Sequence, residues 1–264
     1  MGIAESRRLW ASSAAFLNDS SEIVYIKTAL EAVAHELETE FEEELPRRFL
    51  RLIGPMFEEF VLGGYDVYLA CFCEEDDLLS QWRGYPSTGG GYAIGFRSSV
   101  IARNRMLRKV VYDEATQRQI LGEMLRPACQ HLAENADDSH DYIDRALLVG
   151  LRYHAAALAE CSVCFKHPGF AEEKEWRLVR VNMRQGEAPE RVTPSFRESA
   201  TGLLPYLPLE LEREGDEERP IAEVVVGPNT HPDLAARAAA ELLGSVGYAS
   251  PIGLVRQSSI PLRV

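Results

Sequence analysis

The chain reads as an α+β protein: a single domain over residues 1–264 with a mixed, mostly antiparallel sheet flanked by long helices. Three observations predict this. Apolar residues recur at three- and four-residue steps from Ile23 to Phe41. Alternating, β-branched runs fall in two groups, one around residues 66–113 and one around 174–226. Two further helical patterns lie between those groups. Strands and helices segregated in this way, without regular alternation, favour α+β over a doubly wound fold.

The elements follow in chain order. Ile23, Ile26, Leu30, Val33, Leu37 and Phe41 make one apolar stripe, so an amphipathic helix starts near Glu22, with Asp19 or Ser20 as its cap. The stretch "EFEEELPRR" ends that helix at Pro46, ahead of a second helical piece through Phe57. Its acidic run, Glu38 to Glu44, reads as a solvated face. Strands are predicted over Asp66–Cys73, in "GYAIGF" ending at Phe96, and over Lys109–Asp113. Helical patterns occupy Glu114 to Asn135, bent or interrupted at Pro127, and His140 to Phe165. Further strands are predicted over Lys174–Asn182, Tyr206–Leu211 and Ile221–Val226. The run "VVVGPNTHPDLAARAAAELLGSVGY" reads as a strand, a tight turn capped by Thr230 and a helix closed by Gly247, with a short strand after it.

Composition narrows the function classes. The 264 residues carry 28 Lys and Arg against 41 Asp and Glu, a formal charge of −13, so duplex DNA meets net repulsion and is not an expected partner. No stretch approaches the roughly 18 uninterrupted apolar residues of a spanning helix, so no membrane partner is predicted and the placement expected is cytoplasmic. "MGIAES" fits the N-myristoylation pattern, but no second membrane signal follows it. Five cysteines suit a reducing compartment. Cys161-x-x-Cys164 has a metal-ligand spacing and Cys71-x-Cys73 does not. The latter pair reads as small buried thiols on one strand face, and no metal is expected.

Three clusters hold polar residues that a simple core does not need. "FLNDSSE" places Asn18, Asp19 and Glu22 before the first long helix, where capping also accounts for them. "LLSQWRGYPSTGGGYAIGF" sets Gln81, Trp82, Arg83 and Tyr85 before Gly89, Gly90 and Gly91, and Tyr92 after them. Turning the chain needs one or two flexible residues, so three glycines beside a cation and aromatics exceed it. Two readings stand. Trp82 and Tyr85 are core anchors beside a loose hairpin tip, or the glycine N–H groups approach a phosphate with Arg83 adding charge. The basic stretch after Phe96, with Arg97, Arg103, Arg105, Arg108 and Lys109, either balances the protein's own acids or binds phosphate.

The third cluster is "FKHPGFAEEKEWRLV", which contains Lys166. Strand alternation puts Glu173, Glu175 and Arg177 on one side and Lys174, Trp176 and Leu178 on the other, with Trp176 and Leu178 turned to the core. Two carboxylates on one face repel. Burial beside a substrate raises the pKa of one, a candidate acid or base, while Arg177 holds the other ionised. An exposed strand end with a Glu–Arg ion pair is the structural alternative.

Four blocks, "LWASSAAFLNDSSE", "CFCEEDDLLSQWRGYPSTGGGYAIGF", "KHPGFAEEKEWRLV" and "PIAEVVVGP…GYASPIGLVRQSSIPLR", together resemble a bacterial family of unknown function, DUF2971. They cover almost the whole chain in order. More weakly, Glu173-x-Glu175 resembles the Glu-x-Glu signature of ADP-ribosyltransferases. That likeness implies an ADP-ribosyltransferase-like fold with NAD as substrate, in a toxin or defence effector. It further implies that Glu175 holds the nicotinamide ribose and stabilises an oxocarbenium-like transition state, while Glu173 orients the acceptor. Arg83 then faces the pyrophosphate, and Tyr85 or Tyr92 stacks on nicotinamide. Family members open with a segment like "HYTS" ahead of the "LWAS" block. None precedes Leu9 here, so that NAD-binding element is expected to be missing. Two other classes stay open: a nucleotide or nucleic-acid binding module without turnover, using Arg83 and the basic stretch, and a protein-interaction module.

Overall fold

The structure is a computed structural model that describes residues 2–17, 20–57, 59, 63–85, 91–103, 107–134, 154, 157–183, 192–199, 202–211 and 219–261. It is an α+β fold with two sheets. The larger has six strands in the order β4-β5-β2-β1-β7-β6: β1 is Arg8–Ser13, β2 Tyr65–Cys73, β4 Leu107–Lys109, β5 Glu175–Met183, β6 Ser195–Ser199 and β7 Gly202–Glu210. The smaller has the order β3-β8-β9, with β3 at Tyr92–Phe96, β8 at Ile221–Val226 and β9 at Val255–Gln257. β1 and β2, β3 and β8, and β6 and β7 pair antiparallel, whereas β8 and β9 pair parallel. Among the described residues no helix is long and apolar enough to cross a membrane.

Contacts group the chain into two compact units: residues 1–10, 72–107 and 208–264, and residues 11–71 and 108–207. The chain passes from one to the other within β1, β2, β4 and β7.

The second unit holds the larger core. Helices Ser20–Glu38, Glu44–Met56 and Glu114–Glu134 pack together, and the stripe read from sequence is their seam: Ile26 and Leu30 are wholly buried, and Val33 and Leu37 nearly so. Phe49, Ile53, Leu121 and Leu125 meet them from the other two helices, with Leu69 and Val179 supplied by β2 and β5. Each such side chain contributes about 1.5–3 kcal/mol by leaving water. The acidic run is a solvated, paired surface: Arg51 bonds Glu38 at 2.7 Å and Glu44 at 3.1 Å, and Arg126 bonds Glu40 at 2.9 Å.

The first unit is smaller. Tyr248, Leu243, Ile221 and Val224 cluster beneath helix Pro232–Ser245, which crosses from β8 to the parallel β9. Gly247 ends that helix at φ 92°, a left-handed conformation that glycine adopts without a Cβ clash.

Several boundaries differ from those expected. Pro46 lies in the first turn of the second helix, where no N–H is needed, and the break precedes it at residues 39–43. The helix through Pro127 is continuous from Glu114 to Glu134. The strand expected over Lys109–Asp113 is β4 at Leu107–Lys109, after which Val111 makes only an isolated bridge to Phe165. Thr230 is not a cap: His231 occupies the N-cap without a side-chain bond, and Asn229 closes the turn by accepting from the His231 N–H at 2.7 Å. The pattern read over His140–Phe165 lies mostly outside the described residues, and a helical turn at residues 157–161 is what they contain of it.

Gly227, at the end of β8, is fixed by its neighbours. A Cβ there meets Trp82 Cζ3 at 2.7 Å and the Gly91 carbonyl oxygen at 3.0 Å. Gly227→Ala is expected to destabilise the protein by about 1–3 kcal/mol, read as a lower urea midpoint at unchanged slope.

Candidate functional site

The site in the second unit begins with a tight turn. His167 caps a 3₁₀ segment, Pro168–Glu173, its Nδ1 accepting the Gly169 N–H at 3.1 Å, and Lys174 ends it in the left-handed region at φ 43°. Only then does β5 start, at Glu175. Glu173 is therefore not a strand residue, and its place beside Glu175 comes from the turn and not from alternation.

Gln117, itself buried, secures the approach. Its Nε2 donates to the carbonyls of Val111 at 2.6 Å and Lys166 at 3.0 Å, and its Oε1 accepts from the Tyr25 hydroxyl at 2.7 Å. Lys166 is thereby held pointing at both carboxylates: Nζ donates to Glu173 Oε2 at 2.6 Å and lies 3.5 Å from Glu175 Oε2. Arg177 grips Glu175 with two parallel bonds, Nε to Oε1 at 2.9 Å and Nη2 to Oε2 at 2.8 Å, and gives Nη1 to the Val163 carbonyl. Lys166, Glu175 and Arg177 are 6%, 5% and 3% exposed. Two cations and two anions thus share one centre of no net charge, buried except at Glu173.

Of the two carboxylates, Glu175 is the one that Arg177 holds ionised. Burial pushes its carboxyl up, but the Arg177 hydrogen bonds and charge, a hydrogen bond from the Cys71 thiol and the Lys166 ammonium outweigh that and leave it below the ordinary 4.5. Glu175 is an ionised anchor and not a proton reservoir. Trp176 is half-buried under the Lys109 ammonium, 5.4 Å from its ring centre, whereas Leu178 is buried as expected.

Sequence reasoning missed Tyr112, Gln117 and Cys71. β4 and β5 exchange their last ladder bond where Val110 N–H donates to the Glu175 carbonyl at 2.9 Å, and beyond it the Glu175 N–H donates to Tyr112 Oη at 3.1 Å. Nothing in "KVVYD" marks that role. Cys71 and Cys73 are exposed, not buried as expected. Burial pushes the thiols of Cys161 and Cys164 up to about 12. Among the described residues no group of three or more His, Cys, Asp or Glu stands together as a metal site.

The glycine-rich motif belongs to the first unit. Gln81, Trp82 and Arg83 lie on a short helix, Leu79–Gly84, while Gly90 and Asn18 are outside the described residues. Trp82 is a structural anchor: Nε1 donates to Asp77 Oδ1 at 2.7 Å and the ring lies against Gly227. Asp77 also accepts from Ser258 Oγ at 2.5 Å and from the Ser259 N–H at 2.8 Å. Burial raises its pKa, but these bonds outweigh it and hold the carboxyl at about 2. Tyr85 and Tyr92 stay 76% and 51% exposed, and Arg83 is exposed. In the basic stretch Arg97 bonds the Arg219 carbonyl at 3.0 Å and Arg108 pairs with Glu160, so those two cations serve the protein itself. The described geometry gathers Lys166, Glu173, Glu175 and Arg177 in the second unit. Gln81, Trp82, Arg83, Tyr85 and Tyr92 belong to the first.

Residues 81–178 match the family model described as "Protein of unknown function (DUF2971)", which supports a place in that family for the stretch that carries both motifs. No curated protein and no solved structure matches the chain.

Breaking the buried pair leaves a lone charge. Arg177→Met is expected to cost about 3–5 kcal/mol in urea unfolding at neutral pH. Because the folded Glu175 carboxyl lies below its unfolded value of 4.5, its contribution is complete above that pH and is lost as pH falls through the lower folded value. Stability measured from pH 7 downward is expected to show that loss in the native protein and not in Glu175→Gln.

Proposed function

We propose that the protein cleaves the N-glycosidic bond of NAD or a similar dinucleotide, as an ADP-ribosyltransferase-like transferase or hydrolase. The observation that carries this reading is the pair of carboxylates at the start of β5 gathered around one buried ammonium. Burying three charges, Lys166, Glu175 and Arg177, costs several kcal/mol per ion, and a hydrophobic replacement is often as stable, so such a centre points to chemistry. An oxocarbenium-like transition state develops positive charge, and a fixed, ionised carboxylate stabilises it without reorganising.

In this reading the roles that the resemblance implied are exchanged. Both oxygens of Glu175 are engaged by Arg177, so Glu175 supplies negative charge from behind and positions Lys166. Glu173, whose side chain is 26% exposed, is the carboxylate that meets substrate. No metal enters this reading, and NAD serves as substrate.

Purified protein incubated with NAD is expected to release nicotinamide. Glu173→Gln is expected to slow release about 10²- to 10³-fold, with a smaller drop in unfolding midpoint than Glu175→Gln gives, because Glu173 is the more exposed of the two carboxylates. Glu175→Gln slows release and also lowers the midpoint. The reading fails if the native protein releases none, or if Glu173→Gln matches it.

A second reading, a nucleotide or single-strand binding module without turnover, is favoured by the exposed rings of Tyr85 and Tyr92 near Arg83 in the chain. Exposed aromatics beside a cation suit stacking on bases. A short oligonucleotide is then expected to shift at low salt, and the shift to disappear in Arg83→Ala. No shift at low salt removes this reading.

A further inference from the structure

Around the carboxylate pair, two hydrogen-bonding positions are left over. Tyr112 Oη accepts the Glu175 N–H at 3.1 Å, so its own hydrogen is the one it has to give, and no described residue takes it. Glu173 receives Lys166 on Oε2, while its Oε1 has no partner among the described residues. Both groups meet around Glu175: the phenol is bonded to its N–H, and the Lys166 ammonium that Glu173 holds lies 3.5 Å from its Oε2. Burial raises the phenol's pKa most; the bond from the Glu175 N–H and the Lys166 charge lower it, the Glu175 and Glu173 charges raise it, and the net direction is upward, so the phenol keeps its proton at neutral pH. Phe170 stands beside them, 46% exposed, with Lys166 Nζ 4.8 Å from its ring centre.

We propose that Tyr112 is a ligand-binding residue: its O–H and the outward oxygen of Glu173 together hold one neutral group that both accepts and donates a hydrogen bond. The chemistry fits a sugar hydroxyl or a primary amide. A carboxylate or phosphate has no proton for Glu173 Oε1 and meets no uncompensated cation, because Lys166 and Arg177 are already neutralised by the two glutamates. This inference rests on the site described under the proposed function and adds Tyr112 to it. Closing the end of the β4–β5 ladder uses only the acceptor side of the phenol and leaves the donor side unexplained.

The test is calorimetric titration of the full chain with two probes, ADP-ribose, which carries the sugar hydroxyls, and nicotinamide, which carries the amide. The native protein is expected to bind one of them, and the one bound identifies the source of the group. Tyr112→Phe is expected to weaken that binding about 5- to 20-fold, the loss of one hydrogen bond. A purely structural tyrosine does not respond to ligand, so tyrosinate absorbance is followed as well: the bound probe is expected to raise the pH at which one tyrosine ionises, and Tyr112→Phe to abolish that shift. Binding unchanged in Tyr112→Phe, or no binding of either probe to the native protein, overturns the inference. The two proposals separate cleanly. Tyr112-dependent binding without nicotinamide release removes the transferase reading alone, and release with unchanged binding in Tyr112→Phe removes this one alone.

Discussion

The two-pronged bond between Arg177 and Glu175 is the constraint on which the rest of the second unit's site depends. Both groups are almost fully buried on one face of β5, and neither is tolerable there alone. Paired, they leave Lys166 to be shared with a second glutamate, and that sharing brings Glu173 to the site's partly exposed edge. The helical layer takes part as well, because the third guanidinium nitrogen is satisfied by the Val163 carbonyl just before the turn that delivers Lys166. The core and the charged centre are therefore one arrangement, in which hydrophobic packing sets the positions and the ion pair sets the orientation.

The first unit has its own organising carboxylate. Asp77 collects Trp82, Ser258 and Ser259, joining the short helix of the glycine-rich motif to the segment after β9. Arg256 extends the network at the same edge, bonding Asp76 and Glu223. This explains why Trp82 and Arg83, adjacent in sequence, differ in kind. The indole is committed to holding the unit together, whereas the guanidinium is exposed.

Much of this was legible in the sequence where a single periodicity sufficed. The stripe from Ile26 to Leu37, the strands around β2, β3, β5 and β8, and the glycine stop at Gly247 all follow from local rules. So does the shared face of Glu175 and Arg177. Features that depend on distant partners were not legible. β1 and β6 are short and carry polar or charged residues without a regular alternation, so only pairing within the sheet makes them strands. Glu173 looked like a strand residue because nothing in "EEKEW" announces that Lys174 adopts a left-handed turn. Trp82 looked like a binding residue because the Gly227 it packs against lies far along the chain, as do the serines that share Asp77 with it. Tyr112 and Gln117 carried no pattern, since their roles arise only where a ladder ends and a buried amide must be satisfied.

The parallel pairing of β8 with β9 sets an order of assembly during synthesis. Every segment of the second unit has been synthesised once residue 207 has been translated. The first unit waits for residues 255–257 before its sheet is whole, and for Ser258 and Ser259 before Asp77 has all its donors. The nascent chain therefore carries a nearly finished helical core while Trp82 still lacks its final support, and that interval is when the molecule is open to chaperones and proteases.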